Sequence, residues 1–225
     1  MSKVLRTVLT ILICVVVSLE AKAAVATWTF ETGTDLSNPF DAATRSANVT
    51  SASLNVFSPN TATITANGNS GVLAISGNVQ KVDGTVLTFT LNTSGATFVF
   101  SSLTFDYNRA DSTKSPNTIT WSYTTSGGAS GNLGTSTMTG TGLKTDGSVN
   151  LSTVTLPPGQ TFTLTGTLSG GTGTGNPGDV SFDNFAFNAG VTPIPEPIHL
   201  AMGIFGLIFV GTGAGRFYLA RLRRA

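Results

Sequence analysis

The stretch TFTLTGTLS, Thr161–Ser169, decides how the middle of this chain is read. Phe162, Leu164 and Leu168 fall in one phase, with Gly166 between them in the same phase. Thr161, Thr163, Thr165 and Thr167 fall in the other. A period of two sends alternate side chains to opposite faces of a strand, one toward a core and one toward water. Working outward, Ile119, Trp121 and Tyr123 alternate with Thr118, Thr120 and Ser122. Leu87, Phe89 and Leu91 repeat the pattern, as do Leu103, Phe105 and Tyr107. Thr, Val and Phe suit a pleated, half-buried surface. From Val25 onward no apolar period of 3.6 residues stands out.

Glycine-rich punctuation separates these runs, at Asn67-Gly68-Asn69, at Ser126-Gly127-Gly128 and from Ser169 to Gly178. Many short alternating strands joined by such turns predict an all-β, antiparallel β-sandwich. The expected domain is residues 24–190, roughly 165 residues, an ordinary size for one sandwich. Within Val180–Phe187 the phase changes: Val180 and Phe182 share one face, Phe185 and Phe187 the other. A bulge at Asp183-Asn184 reconciles the halves and turns polar groups toward a neighbour, which makes it a candidate ion site.

The chain's formal charge of +1 averages unlike parts. Between Ala24 and Pro197 five basic residues stand against ten acidic ones, a net charge of −5. Phosphate contacts need clustered Lys or Arg, so no nucleic-acid partner is expected.

The beginning of the chain looks like an export signal covering residues 1–23. Lys3 and Arg6 precede an apolar run from Val8 to Leu19, and Ala21-Lys22-Ala23 has the small-x-small form of a signal peptidase site. Cleavage is expected after Ala23. Twelve apolar residues are too few to cross a hydrocarbon core of about 30 Å. Cys14 lies in the removed segment and follows Ile13 rather than a small residue, so neither lipid attachment nor a disulfide is expected.

The other end carries a second address. Residues 191–197 form a proline-rich linker closing on PIPEP, Pro193–Pro197, and prolines at alternate positions forbid helix. From Ile198 to Gly215 no Asp, Glu, Lys or Arg interrupts an oily run. At 1.5 Å per residue that run spans about 27 Å, and residues 198–220 are expected to form one C-terminal transmembrane helix. Arg216 can snorkel from its end, and Arg221, Arg223 and Arg224 place the basic tail, 221–225, in the cytoplasm. Gly211-x-x-x-Gly215 matches a helix-pairing pattern, and His199 is read as a headgroup-level residue.

Proline-flanked glutamate, oily helix, arginine cluster and chain end, in that order, closely resemble the PEP-CTERM sorting signal of Gram-negative bacteria that make exopolysaccharide. The resemblance implies that Pro195, Glu196 and Pro197 are read by an exosortase and that the helix is removed. The general secretion machinery would deliver the chain, and the inner membrane would hold it transiently. Its destination would be the outer surface or extracellular matrix.

Trp28-Thr29-Phe30-Glu31 and Phe182-Asp183-Asn184-Phe185 resemble the first and last strands of jelly-roll sandwiches similar to carbohydrate-binding modules. That resemblance implies a structural calcium shared by Glu31 and Asp183, with Asp35 or backbone carbonyls helping. Calcium takes six to eight oxygen ligands, and carboxylates at neighbouring chain ends would be stapled together. The alternative is that Glu31 is a solvated strand residue and that Asp183 and Asn184 only shape the bulge.

The exported part has neither histidine nor cysteine, which removes a Ser-His-Asp triad, a cysteine nucleophile and a His-ligated zinc. A glycoside hydrolase needs only two carboxylates about 5–10 Å apart, and Asp106 and Asp111 flank one loop. Arg109 and Lys114 beside them point instead to a solvated charge cluster. Trp28, Tyr107, Trp121 and Tyr123 are the large rings on which a sugar could stack, but Trp121 and Tyr123 share the phase of Ile119, a core position. The expectation is a non-catalytic surface or biofilm-matrix protein. The rival is a module that binds extracellular polysaccharide.

Overall fold

The computed structural model describes residues 23–31, 37–68, 70–172, 175 and 177–193. In chain order the strands begin with β1 (Ala23–Trp28), β2 (Phe40–Asp41), β3 (Thr44–Arg45), β4 (Val49–Phe57), β5 (Thr63–Asn67) and β6 (Val72–Ser76). After one helical turn, α1 (Val79–Val82), come β7 (Val86–Thr93), β8 (Ala96–Arg109), β9 (Thr118–Thr125) and β10 (Ser130–Thr137). The last four are β11 (Gly142–Asn150), β12 (Thr155–Leu156), β13 (Thr161–Ser169) and β14 (Val180–Pro193). Asn78 caps α1 by accepting the Lys81 N–H on Oδ1 at 3.0 Å.

These strands form an all-β sandwich of two antiparallel sheets. The smaller runs β10-β9-β13-β7-β4-β2, and the larger follows the path β11-β8-β14-β1-β3. Strands β12, β6 and β5 extend the larger sheet from β8 and β14. The chain passes repeatedly from one sheet to the other, in the jelly-roll manner. Among the described residues no helix is long and apolar enough to cross a membrane. The expected span 198–220 lies outside them.

The alternation read from Thr161–Ser169 is the alternation of β13. Phe162, Leu164 and Leu168 are buried, while the threonines point to the outer face. Gly166 keeps the inward phase for a packing reason. It pairs directly with Trp121, and a Cβ there would stand 2.5 Å from the indole Cζ3. The Trp121 N–H is satisfied by Ser136 Oγ at 3.0 Å, and that hydroxyl donates to the Ser148 carbonyl, tying β10 to β11. Phe89 sits among Trp28, Phe185 and Phe187, with ring centroids 5.0–5.5 Å away. Aromatic side chains supply much of the core, with no disulfide among the described residues to assist.

The phase change in β14 is real and has a topological cause. Val180–Phe182 pair with β6, whereas Phe185–Ala189 pair with β1. Asp183 and Asn184 stand at the handover, and Asn184 adopts φ 50. A strand that changes neighbours must re-aim its side chains, and one left-handed residue does that within two positions. The glycine-rich segment after β13 does more than turn the chain. A Cβ on Gly171 would lie 2.5 Å from the Lys114 carbonyl, and one on Gly178 would lie 2.6 Å from the Val79 N. That packing seats Gly171 and Gly178 against the loop before β9 and against α1.

Candidate functional site

The outer face of the larger sheet carries a trough. Two adjoining depressions, about 240 Å³ and about 220 Å³, share Val72, Asn108 and Ser181. The first continues over Ala74, Ser76, Ala110 and Asp179, the second over Asp106, Leu143 and Asp183. Strands β6, β14, β8 and β11 therefore supply its floor and rims. Outward positions of β8 place Asp106 and Asn108 in it, alternating with the buried Phe105 and Tyr107. Leu143, on the edge strand β11, is 68% exposed and offers an apolar rim. Hydrogen-bonding side chains beside apolar rims in a concave site suit a polar ligand that also presents C–H faces.

At one end of the trough the two acidic residues singled out by sequence come together. Gly71, with φ +65, bares its backbone toward three groups. A Cβ there would lie 3.5 Å from Glu31 Cγ, 3.5 Å from the Thr29 carbonyl oxygen and 3.9 Å from Asp183 Oδ2. The backbone is strained on both sides of this cradle. Phe30, just before Glu31, has φ 48, and Asn184, just after Asp183, has φ 50. A bulky residue in the left-handed region costs on the order of 1–2 kcal/mol. Phe30 is held there by burial against Phe40 and Phe185, at centroid distances of 5.6 and 6.4 Å.

Asp183 Oδ1 accepts the Asn184 N–H at 2.7 Å, and Asn184 Nδ2 donates to Asp106 Oδ2 at 2.7 Å. Burial pushes the Asp183 carboxyl up to about 6, and the Asp106 and Glu31 carboxylates push the same way, against the bond from Asn184. A cation in the cradle would relieve that repulsion. Carboxylate and carbonyl oxygens are the hard donors that calcium takes, and Gly71 adds no side chain between them. Among the described residues no three His, Cys, Asp or Glu side chains gather into a metal-holding group. Any ion here would rest on two carboxylates plus carbonyl or external oxygens.

The other sequence-named residues separate. Asp106 and Asp111 take different partners. Asp111 Oδ1 accepts the Thr113 N–H, the Thr113 hydroxyl and the Lys114 N–H at 2.7–2.9 Å. Those bonds hold its carboxyl down at about 2, so it shapes a turn and stays ionised. The expected solvated charge cluster is wrong for Arg109, which is 3% exposed. Its guanidinium donates to the carbonyls of Ser112, Ser115, Met138 and Gly140 at 2.8–3.2 Å, clamping together the β8–β9 and β10–β11 connections. Sequence proximity to two aspartates hid that role.

Trp28, Tyr107 and Trp121 are buried, so these rings form no stacking platform, and Tyr123 is half-buried against Phe162. Ala23 opens β1. Ala21, Asp35, Pro195, Glu196, Pro197, Arg216, Arg221, Arg223 and Arg224 lie outside the described residues. Sequence reading missed the trough, because Val72, Asn108, Leu143 and Ser181 meet only through the pairing of four strands. The one local signal was Leu143, an apolar residue amid a polar edge strand.

No protein-family model and no curated protein matches the chain. Among solved structures, a family 29 carbohydrate-binding module from Piromyces equi is similar over 76% of this chain and 91% of its own, at 7% identity and a TM-score of 0.43. A family 28 module described as specific for non-crystalline cellulose is similar over 56% and 79%, at 14% identity and 0.35. A family 27 module described for mannan recognition is similar over 60% and 88%, at 11% identity and 0.33. At these scores the likenesses are distant, and the site is read from its own residues.

Proposed function

We propose that this chain is an exported, non-catalytic surface or extracellular-matrix protein whose sandwich holds extracellular polysaccharide in the trough of its larger sheet. The observation that carries the reading is the trough itself, a concave strip with amide, hydroxyl and carboxylate groups along its floor and Leu143 on its rim. Sugar hydroxyls pair with such groups, and their C–H faces rest on apolar side chains. A catalytic role has little support: Asp111 is ionised and locked in its turn, and Asp106 is bonded to Asn184.

Sorting through a PEP-CTERM signal completes the proposal. Pro195, Glu196 and Pro197 are its recognition residues for an exosortase, and residues 198–220 its temporary anchor. Calcium belongs to it as a structural ion, held by Glu31, Asp183 and the Thr29 carbonyl. Bound there, the ion supplies positive charge that joins the end of β1 to β14.

The test is affinity electrophoresis of the full chain through gels containing single polysaccharides. Retardation in at least one gel, abolished by Asn108→Trp, which fills the shared floor, supports the reading. Mobility unchanged in every gel overturns it. For sorting, a Pro195→Ala/Pro197→Ala variant should remain in the membrane fraction with its arginine tail intact. Wild-type processing of that variant removes the tag from the account.

A further inference from the structure

The two sheets carry charge very differently. Strands β4, β7, β9, β10 and β13 contain no Asp, Glu, Lys or Arg among their described residues. The one charge on a strand of the smaller sheet is Asp41, on the two-residue edge strand β2. The larger sheet holds Arg45, Asp106, Arg109, Lys144, Asp146 and Asp183. Soluble surfaces are ordinarily about 25–35% charged. Five adjacent strands without a charge therefore give the smaller sheet an unusual outer face.

Strand register orders that face. One row crosses all five strands through Ser53, Thr90, Thr163, Thr124 and Ser130. The next row runs through Thr88, Thr165 and Ser122. Neighbours within a row stand about 4.8 Å apart and successive rows about 6.7 Å apart, so the face measures about 20 Å each way. At its margin the side chains satisfy one another: Thr161 donates to Asn92 Oδ1 at 2.5 Å, and Asn92 Nδ2 donates to Ser51 Oγ at 2.6 Å. The centre is left open. Among the described residues, the hydroxyls of Thr88, Thr90, Thr163, Thr165, Ser122 and Thr124 have no hydrogen-bond partner.

Threonine is stiff at χ1, so each methyl and hydroxyl is set before a partner arrives and little rotamer freedom is lost on contact. Phe57, 61% exposed, lies in the same outward phase opposite Val86 and adds an apolar seat at one edge. These features select the partner's chemistry. The core of a protein interface is rich in aromatic residues, Met and Arg. Nucleic acid and anionic lipid need Lys or Arg. Open hydroxyls, fixed methyls and one exposed ring, without charge, suit an uncharged polymer that has hydroxyls and C–H faces of its own.

We propose that the outer face of the smaller sheet is a second binding surface, which takes neutral polysaccharide with its chains packed side by side. The breadth of the rows matches several parallel chains rather than one. The surface lies on the opposite sheet from the acidic trough, and the inference goes beyond the trough reading without depending on it.

The full chain in detergent micelles is mixed with powders of microcrystalline cellulose, α-chitin and curdlan, and the depleted fraction gives the affinity. At least one powder should deplete both the wild type and Asn108→Trp, whose trough is filled. About 1 M NaCl should not weaken that binding, because no charge crosses the contact. Thr163→Lys sets an ammonium against a neutral surface and should lower the affinity about tenfold or more. Thr163→Val/Thr165→Val keeps two β-branched side chains and removes only their hydroxyls, so it reads the contact even where lysine disturbs the strand. It should lower the affinity about tenfold.

Depletion by none of the powders overturns the inference, and retardation of the same protein in polysaccharide gels would leave the trough reading intact. Powder binding abolished by Asn108→Trp places the contact in the trough and also overturns it. So does binding that salt removes, or binding that both Thr163 variants keep at wild-type strength.

Discussion

Asn184 donates its side-chain N–H to Asp106 at 2.7 Å while its backbone is held at φ 50. The bond joins β14 to β8 at the point where β14 changes partner from β6 to β1. One residue thus closes the bulge and fixes the carboxylate beside it.

Two losses can be separated at this position. Asn184→Gly keeps the left-handed backbone and loses only the bond to Asp106, a cost of about 1 kcal/mol. Asn184→Ala loses the bond and also puts a poorly suited residue at positive φ, for a total of about 2 kcal/mol. Urea unfolding of both variants should rank glycine above alanine. The reverse order would show that the strain at Asn184 does not shape the bulge.

Calcium should raise the melting temperature. A ligand at a hundredfold excess over its dissociation constant stabilises by about 2.7 kcal/mol, or about 5–10 °C for a domain of this size. Scanning calorimetry with calcium and with chelator should show that difference in the wild type and none in Asp183→Ala. Identical curves for the wild type would remove the ion.

Arg109 should be a major determinant of stability. Its guanidinium satisfies four carbonyls in a nearly closed site, and burial lowers its pKa while Tyr107 and Asp111 favour the charge. Arg109→Met leaves those oxygens unpaired and should cost about 3 kcal/mol in chemical denaturation. Arg109→Lys should recover little, because one ammonium cannot span both loops. Full stability in the lysine variant would mean that charge alone matters there.

Acid should expose the turn at Asp111. Its folded carboxyl is held at about 2, below the usual value of about 3.9 for an unfolded aspartate. A depressed acid contributes stability that is present above the unfolded value and is lost as pH falls through the folded one. The stability gap between wild type and Asp111→Asn should therefore be open at pH 5 and close toward pH 2. A gap that stayed constant over that range would contradict the assignment.

The sandwich was legible because its signal is local. Phe162, Leu164 and Leu168 alternate with threonines, and no helix-forming pattern competes over the same residues. The switch at Asp183-Asn184 was legible for the same reason, since a phase change leaves its mark within eight residues. The burial of Trp121 also followed from its phase with Ile119. Arg109 was misread because a charged residue beside two aspartates looks solvated until the carbonyls of distant Met138 and Gly140 are brought to it.

By itself, then, the sequence determined the alternating strands and the all-β class, because each depends on neighbours along the chain. Only the tertiary structure decided that Gly71 bares the cradle between Glu31 and Asp183. It alone decided that Asp106 turns to Asn184 rather than to Asp111, and that Val72, Asn108, Leu143 and Ser181 form one trough. Those relations depend on strand order and register, which bring together residues as much as 152 positions apart, such as Glu31 and Asp183, and no local pattern encodes them.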